Sequence, residues 1–234
     1  QYQAVIDLQG LYKSALWARQ AGAPVSGYDA ASARESGATR SYARCFAVSR
    51  DLQAVDRCRQ LVAAHFGWDL NTLGPADFGL QGVTAAGLRE SASAYAVLVP
   101  NASRPEKLWP LAHWQAVGQA LRAQGLEPVV LWGSPQEQAL AGAIAQACEG
   151  RVPPFLKVDE AAGLLAGARV VVGLDTGFSH LAAALGRPVV GIYCDHEPGL
   201  AGLTGSGPVR CLGGKGQSPS LSAVLEALGE VLQA

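Results

Sequence analysis

Apolar residues follow two rhythms along this chain. From Tyr95 onward, short unbroken apolar runs alternate with stretches in which apolar residues return every three or four positions. The runs Tyr95–Pro100, Pro128–Trp132, Val170–Val172 and Val189–Tyr193 read as strands buried on both faces. The stretches Trp109–Gln124, Pro135–Cys148, Ala161–Ala166 and Ser179–Leu185 read as helices. Strict strand–helix alternation of this kind predicts a parallel sheet covered on both sides. A glycine-rich stretch, Pro198–Ser218, surrounds a short strand at Val209–Leu212. Leu221, Val224, Leu225, Leu228, Val231 and Leu232 then mark a closing helix over 220–232, capped by Ser218 or Ser220.

The first part of the chain is less regular. Ala4–Leu8 reads as a short buried strand, Leu11–Gln20 as a helix, and Ala23–Ser26 as a weak strand. Tyr28–Arg44 is polar and rich in small residues, which predicts a loop or a poorly packed helix with a basic set at Arg34, Arg40 and Arg44. Leu52, Val55, Cys58, Leu61, Val62 and Phe66 define the apolar face of a helix over Leu52–Phe66. The Gly-, Pro-, Asn- and Asp-bearing stretch 67–93 has no sustained period and holds the expected domain boundary. The expected organisation is α/β throughout: a first domain over 1–92, a second over 93–218, and a closing helix over 219–234.

Composition narrows the classes. The 234 residues are 49% hydrophobic and 16% charged, ample for packed cores, and the net charge of −1 excludes nucleic-acid binding driven by bulk electrostatics. No apolar run reaches the roughly 18 residues that span a bilayer, and the first residues do not read as a signal peptide. Five widely spaced cysteines form no CxxC pair, so a structural metal site has no basis and reduced thiols are expected. The chain contains no Met and opens on Gln1, leading at once into a strand. The expectation is therefore that an amino-terminal portion is missing.

The candidate chemistry lies in the loops at strand ends. Val170–Pro188 reads VVVGLDTGFSHLAAALGRP, a strand, a tight turn and a helix in succession. Asp175, Thr176 and Gly177 stand where a helix N-terminus would meet an anion, and a glycine there admits close approach. The same residues read equally as an N-cap with no ligand. His180, in the first helical turn, suits a structural hydrogen bond more readily than catalysis. The loop Pro100–Pro110 places Ser103, Arg104 and Lys107 at another strand end, either as solvated residues or as a second phosphate-binding place. Two such loops converge in a doubly wound sheet, which tips the balance toward a shared anion site. Glu137, after Trp132-Gly133-Ser134, would reach a ribose or simply face its helix dipole. Lys13, at a helix start where a cation is ill-placed, signals either an anionic partner or plain solvent exposure.

Together these segments resemble the ADP-heptose:lipopolysaccharide heptosyltransferases, bacterial glycosyltransferases with the two-domain GT-B fold. The resemblance covers nearly the whole chain. It rests on Asp175–Pro188 (DTG-x-SHLAAAL-x-RP), Trp132–Glu137 (WG-x-P-x-E), Lys107–Pro110 (K-x-WP) and Pro198-Gly199. Val5–Leu16 and Tyr28–Ser36 look like the heptosyltransferase I branch. The resemblance implies two Rossmann-like, doubly wound parallel-sheet domains, the first incomplete, with the closing helix 219–234 returning to the first domain. It implies transfer of heptose from ADP-heptose to the Kdo of Kdo-lipid A, with inversion and with no metal or other cofactor. By position, Asp175 would bind heptose hydroxyls, and Ser103, Thr176 and Gly177 would hold the diphosphate. Lys107 would neutralise the leaving phosphates, Glu137 would contact the ribose, and His180 would lie beside the diphosphate. Lys13 and Arg34 would face the acceptor's anionic groups. The family's general base would lie upstream of this chain; Asp7 does not occupy its position. The implied location is the cytoplasmic face of the bacterial inner membrane, with peripheral lipid contact and no nucleic-acid partner. Another GT-B nucleotide-sugar enzyme, or a nucleotide-binding module without chemistry, remains as the alternative.

Overall fold

A computed structural model describes residues 2–72, 74–80, 82–83, 93–195 and 197–234. The chain forms two compact units, Gln1–Ala76 and Asp77–Ala234. The expected boundary at 92/93 lies next to residues 84–92, outside the described set, and the units divide earlier, after Ala76.

The first unit is built on three parallel strands in the order β1 (Val5–Ile6), β2 (Val25–Tyr28), β3 (Arg44–Phe46). Helix α1 (Tyr12–Gln20) follows β1, a 3-10 turn (Ser36–Ser41) precedes β3, and α2 (Ala54–Phe66) follows it. The weak strand signal near Ala23 is in fact the fully buried centre of this sheet. Its Gly27 is required because the ring of Tyr42 lies where a Cβ would project. The Tyr42 hydroxyl donates to Asp7 Oδ2 at 2.7 Å. Strand β3 begins at Arg44, the last residue of the stretch read as loop or poorly packed helix, and runs on past it; only three residues long and largely exposed, it carries no apolar alternation to detect. Helix α2 ends at Gly67 in the left-handed conformation (φ 70°). Leu61 is its buried anchor, whereas Phe66, expected inward, is exposed and stacks on Trp68 with centroids 4.6 Å apart.

The second unit carries five parallel strands in the order β5 (Glu127–Val130), β4 (Tyr95–Val99), β6 (Val170–Leu174), β7 (Val189–Tyr193), β8 (Val209–Gly213). The connections contain α3 (Leu111–Ala123), α4 (Pro135–Ala147), α5 (Val158–Ala166), α6 (Gly177–Ala184) and the short α7 (Pro198–Ala201); α8 (Leu221–Gln233) closes the chain. Alternate strand residues divide between two cores. Ala96 and Leu98 face Trp114, Leu121 and Ile144 of α3 and α4, while Val97 and Val99 face Leu164, Leu165 and Ala182 of α5 and α6. Both faces are therefore covered, as the unbroken apolar runs require.

The apolar stripe of α8, expected on the first domain, is buried in the second unit's own core. Val224, Ala227, Leu228 and Val231 pack with Val170, Val190 and Ile192. The physical reason is that α8 runs against β6, β7, β8 and α3, whose apolar side chains receive the stripe. Leu228→Ala should therefore cost about 2–5 kcal/mol in urea unfolding and reduce amide-exchange protection in β7. Leu16→Ala, at a position 60% exposed, should stay within about 0.5 kcal/mol of wild type. Equal effects of the two substitutions would contradict this packing.

Candidate functional site

Strand β4 lies inside the sheet, with β5 on one side and β6 on the other. The chain leaves β4 toward one edge and later builds the other side outward from it. The carboxyl ends of β4 and β6 thus flank a crevice of the kind that binds ligands in open α/β sheets. A cavity of about 490 Å³ occupies this place. Ser103 and Asn101 come to it from the loop after β4, Trp132 from the loop after β5, Glu137 from the first turn of α4, and Thr176 and Gly177 from the start of α6.

Next to the cavity-lining Thr176, Asp175 pairs with Lys107; neither of the two lines the cavity itself. Lys107 Nζ donates to Asp175 Oδ2 at 2.7 Å, and both side chains are less than one-fifth exposed. His180 Nε2 lies 3.3 Å from the other carboxylate oxygen. The hydrogen bond from His180, aided by the hydrogen bond and charge of Lys107, lowers the Asp175 carboxyl from its ordinary 3.8 to about 2, against the opposing effect of burial. Asp175 is thus an ionised acceptor of hydrogen bonds at neutral pH. A group titrating so low is a poor proton acceptor in catalysis.

The start of α6 is uncapped. Thr176 is the N-cap residue, yet no side chain accepts a hydrogen bond from the first turn. Both Asp175 oxygens are turned to Lys107 and His180 instead, so the plain N-cap reading does not describe this turn. Among the described residues, the N–H groups of Gly177 and Phe178 have no acceptor, and Thr176 Oγ1 is buried without a partner. Space is open where a Cβ on Gly177 would stand. Beneath the turn, Ser179 Oγ donates to Leu174 O at 2.6 Å, and Gly173 leaves the room this approach needs.

The remaining walls differ in character. Glu137 Oε2 accepts from Gly133 N at 2.7 Å, so one oxygen of this carboxylate shapes its own loop at the cavity edge. Ser103 is exposed on the cavity rim. Phe178, Leu181 and Val158 make an apolar side that the polar motifs did not reveal. Its only sequence signal is the apolar spacing within α5 and α6. Asn101, assigned no role from sequence, fixes the loop by donating Nδ2 to Leu131 O at 2.9 Å.

In the first unit, Lys13 and Arg34 are both exposed, on segments bonded to each other through Glu35 N and Gly10 O (3.0 Å). Lys13 borders a hollow of about 610 Å³ that also meets Trp17 and Asp7. Asp7 itself is 5% exposed and accepts from Gln9 N, Gly10 N, Ser14 Oγ and Tyr42 Oη. This carboxylate is committed to holding the β1–α1 turn.

A family model described as glycosyltransferase family 9 (heptosyltransferase) matches residues 1–226. This chain belongs to that family. Lipopolysaccharide heptosyltransferase 1 of Salmonella typhimurium (strain LT2) is 37% identical over 213 residues, covering 90% of this chain and 67% of that protein. Two solved structures of the E. coli heptosyltransferase WaaC are similar as well. The structure with ADP has a TM-score of 0.86 at 33% identity and covers 98% of this chain and 73% of that one. The structure with ADP-2-deoxy-2-fluoro heptose has a TM-score of 0.81 at 30% identity, covering 98% and 72%. The chain thus spans between 67% and 73% of these relatives' lengths. The GT-B-like α/β class expected from the motifs is the fold these matches share.

In this family 9 glycosyltransferase, the motif Asp175–Pro188 supplies the carboxylate, the uncapped turn and the helix behind it. Because the Asp175 carboxyl is lowered by folding, its pairing contributes stability above about pH 4 and loses it as the pH falls toward 2. The contribution is on the order of 2 kcal/mol. Asp175→Asn should therefore be less stable than wild type at pH 7, and the difference should shrink as unfolding is measured from pH 4 down toward pH 2. A deficit independent of pH would show that the ion pair is not its source.

Proposed function

We propose that this chain carries the donor site, and part of the acceptor site, of an enzyme that transfers L-glycero-D-manno-heptose from ADP-heptose to the Kdo of Kdo-lipid A. The carrying observation is the Lys107–Asp175 pair beside the uncapped start of α6, all at one crevice. The names of the relatives, and the donor analogue in the related WaaC structure, support the same reading.

The chemistry fits the groups present. Departure of a nucleoside diphosphate from the sugar leaves negative charge on the distal phosphate. Lys107 and the N–H groups of Gly177 and Phe178 offer it a cation and fixed dipoles, a form of stabilisation that needs little rearrangement during reaction. Thr176 and Ser103 extend this cradle along the diphosphate, with His180 beside it. Asp175, held ionised, accepts from sugar hydroxyls on the transferred heptose. Glu137 lies at the edge suited to the ribose, and the apolar side formed by Phe178, Leu181 and Val158 suits the adenine ring. Asp175 and Asp7 are both committed to hydrogen bonds within their own units, so on this reading another carboxylate takes the acceptor's proton, with inversion.

Lys13 and Arg34 provide cations for an acceptor bearing carboxylates and phosphates. Tyr12, Leu16 and Trp17 are each at least 60% exposed on α1 beside Lys13, which suits a lipid-linked acceptor. Among the described residues, no helix is long and apolar enough to cross a membrane. With a lipid-linked acceptor, the reading places the enzyme at the cytoplasmic face of the inner membrane through peripheral contact.

Calorimetric titration tests the donor assignment. ADP should bind and UDP should not compete with it. Lys107→Ala should weaken ADP binding by about 1–3 kcal/mol, the range for a hydrogen bond to a charged group. Competition by UDP, or an unchanged ADP affinity in Lys107→Ala, would contradict the proposal.

A further inference from the structure

The loop joining β4 to α3 is firmly rooted and lightly held between its roots. At one root Asn101 donates to Leu131 O; at the other the buried Trp109 donates Nε1 to Pro219 O at 3.0 Å. Between them stands a single 3-10 turn, Pro105–Lys107, with Ser103, Arg104, Pro105 and Glu106 exposed. Among the described residues, two ion pairs tie this crown to the rest of the second unit. One is Lys107–Asp175. The other joins Arg104 Nη2 to Asp195 Oδ2 at 2.9 Å. Asp175 follows β6 and Asp195 follows β7, so the loop from β4 is pinned across the ends of the next two strands.

The two pairs have different fates when a diphosphate enters, on the donor reading above, on which this inference rests. Lys107 must redirect its ammonium from Asp175 toward phosphate oxygens, which loosens the first tie. Arg104–Asp195 is the tie that remains. We propose that Asp195 is a positioning residue for donor binding: through Arg104 it keeps the crown, and with it Ser103 and Lys107, seated over the cavity. It touches no reacting atom itself. Removing it would leave the crown seated for only a fraction of the time, and apparent affinity falls in proportion to that fraction.

The sign of the effect separates this role from simple electrostatics. Neutralising a carboxylate near a diphosphate site removes repulsion, and it also frees Arg104 as an extra cation. Both effects strengthen anion binding. A tie predicts the opposite, weaker binding.

The experiment is calorimetry with ADP on the full chain, with thermal melting of each variant to verify folding. Asp195→Asn should raise the dissociation constant for ADP about three- to tenfold without a matching loss of melting temperature, and the difference should shrink in high salt. Asp195→Glu, which keeps the carboxylate, should return affinity to within about twofold of wild type. In an Arg104→Gln background, Asp195→Asn should add nothing further, since the partner is already gone. Unchanged or tighter ADP binding in Asp195→Asn overturns the inference, as does a loss that persists without Arg104. If the wild-type chain does not bind ADP, the donor reading fails and takes this inference with it. If the wild type binds and Asp195→Asn matches it, this inference alone fails.

Discussion

The contact between Lys107 and Asp175 organises the second unit's carboxyl edge. Neither group is fully hydrated, and an ion pair so shielded holds only when its geometry is good and the remaining lone pairs are occupied. His180 occupies the second carboxylate oxygen. Both Asp175 oxygens are thereby engaged by side chains, and the N-cap residue itself, Thr176, accepts no hydrogen bond from the first turn of α6. The unmet N–H groups of Gly177 and Phe178 and the cation of Lys107 thus stand on either side of Asp175 and Thr176. Each favours an anion at the same place.

The sheet makes that meeting possible. Parallel strands present all their carboxyl ends on one edge, and the outward growth of the sheet on either side of β4 opens a gap there. Paired helices on both faces, with Trp114, Leu121, Leu164 and Leu165 buried between layers, leave the edge loops as the parts free to differ in sequence without disturbing the cores. The site is therefore rigid at its base and adjustable at its rim. The loop after β4, rooted by Asn101 and Trp109 but exposed at its crown, is the adjustable part.

Much of this was legible in the residues. Unbroken runs such as Val170–Val172 and Val189–Tyr193 can only be strands covered on both faces, and their alternation with helices leads directly to the parallel sheet. The motif at Asp175–Gly177 pointed to the strand end where the uncapped turn and the Lys107 pair stand. What stayed hidden depended on partners distant in sequence. Whether Asp175 would cap its own helix could not be decided without knowing that Lys107 would claim it. Strand β3 was missed because three residues, two of them exposed, carry no period, and Phe66 was misplaced because helical spacing cannot reveal that an aromatic neighbour, Trp68, will stack on it at the surface. The docking of α8 on its own unit was equally invisible, since an apolar stripe does not name the surface that receives it.

The most direct test is a crystal structure of the chain with ADP. The account predicts the distal phosphate within hydrogen-bonding distance of Lys107 Nζ and of the Gly177 and Phe178 N–H groups, with Lys107 drawn off Asp175. A diphosphate bound outside this cavity, or one leaving Lys107 on Asp175 and the start of α6 untouched, would contradict it.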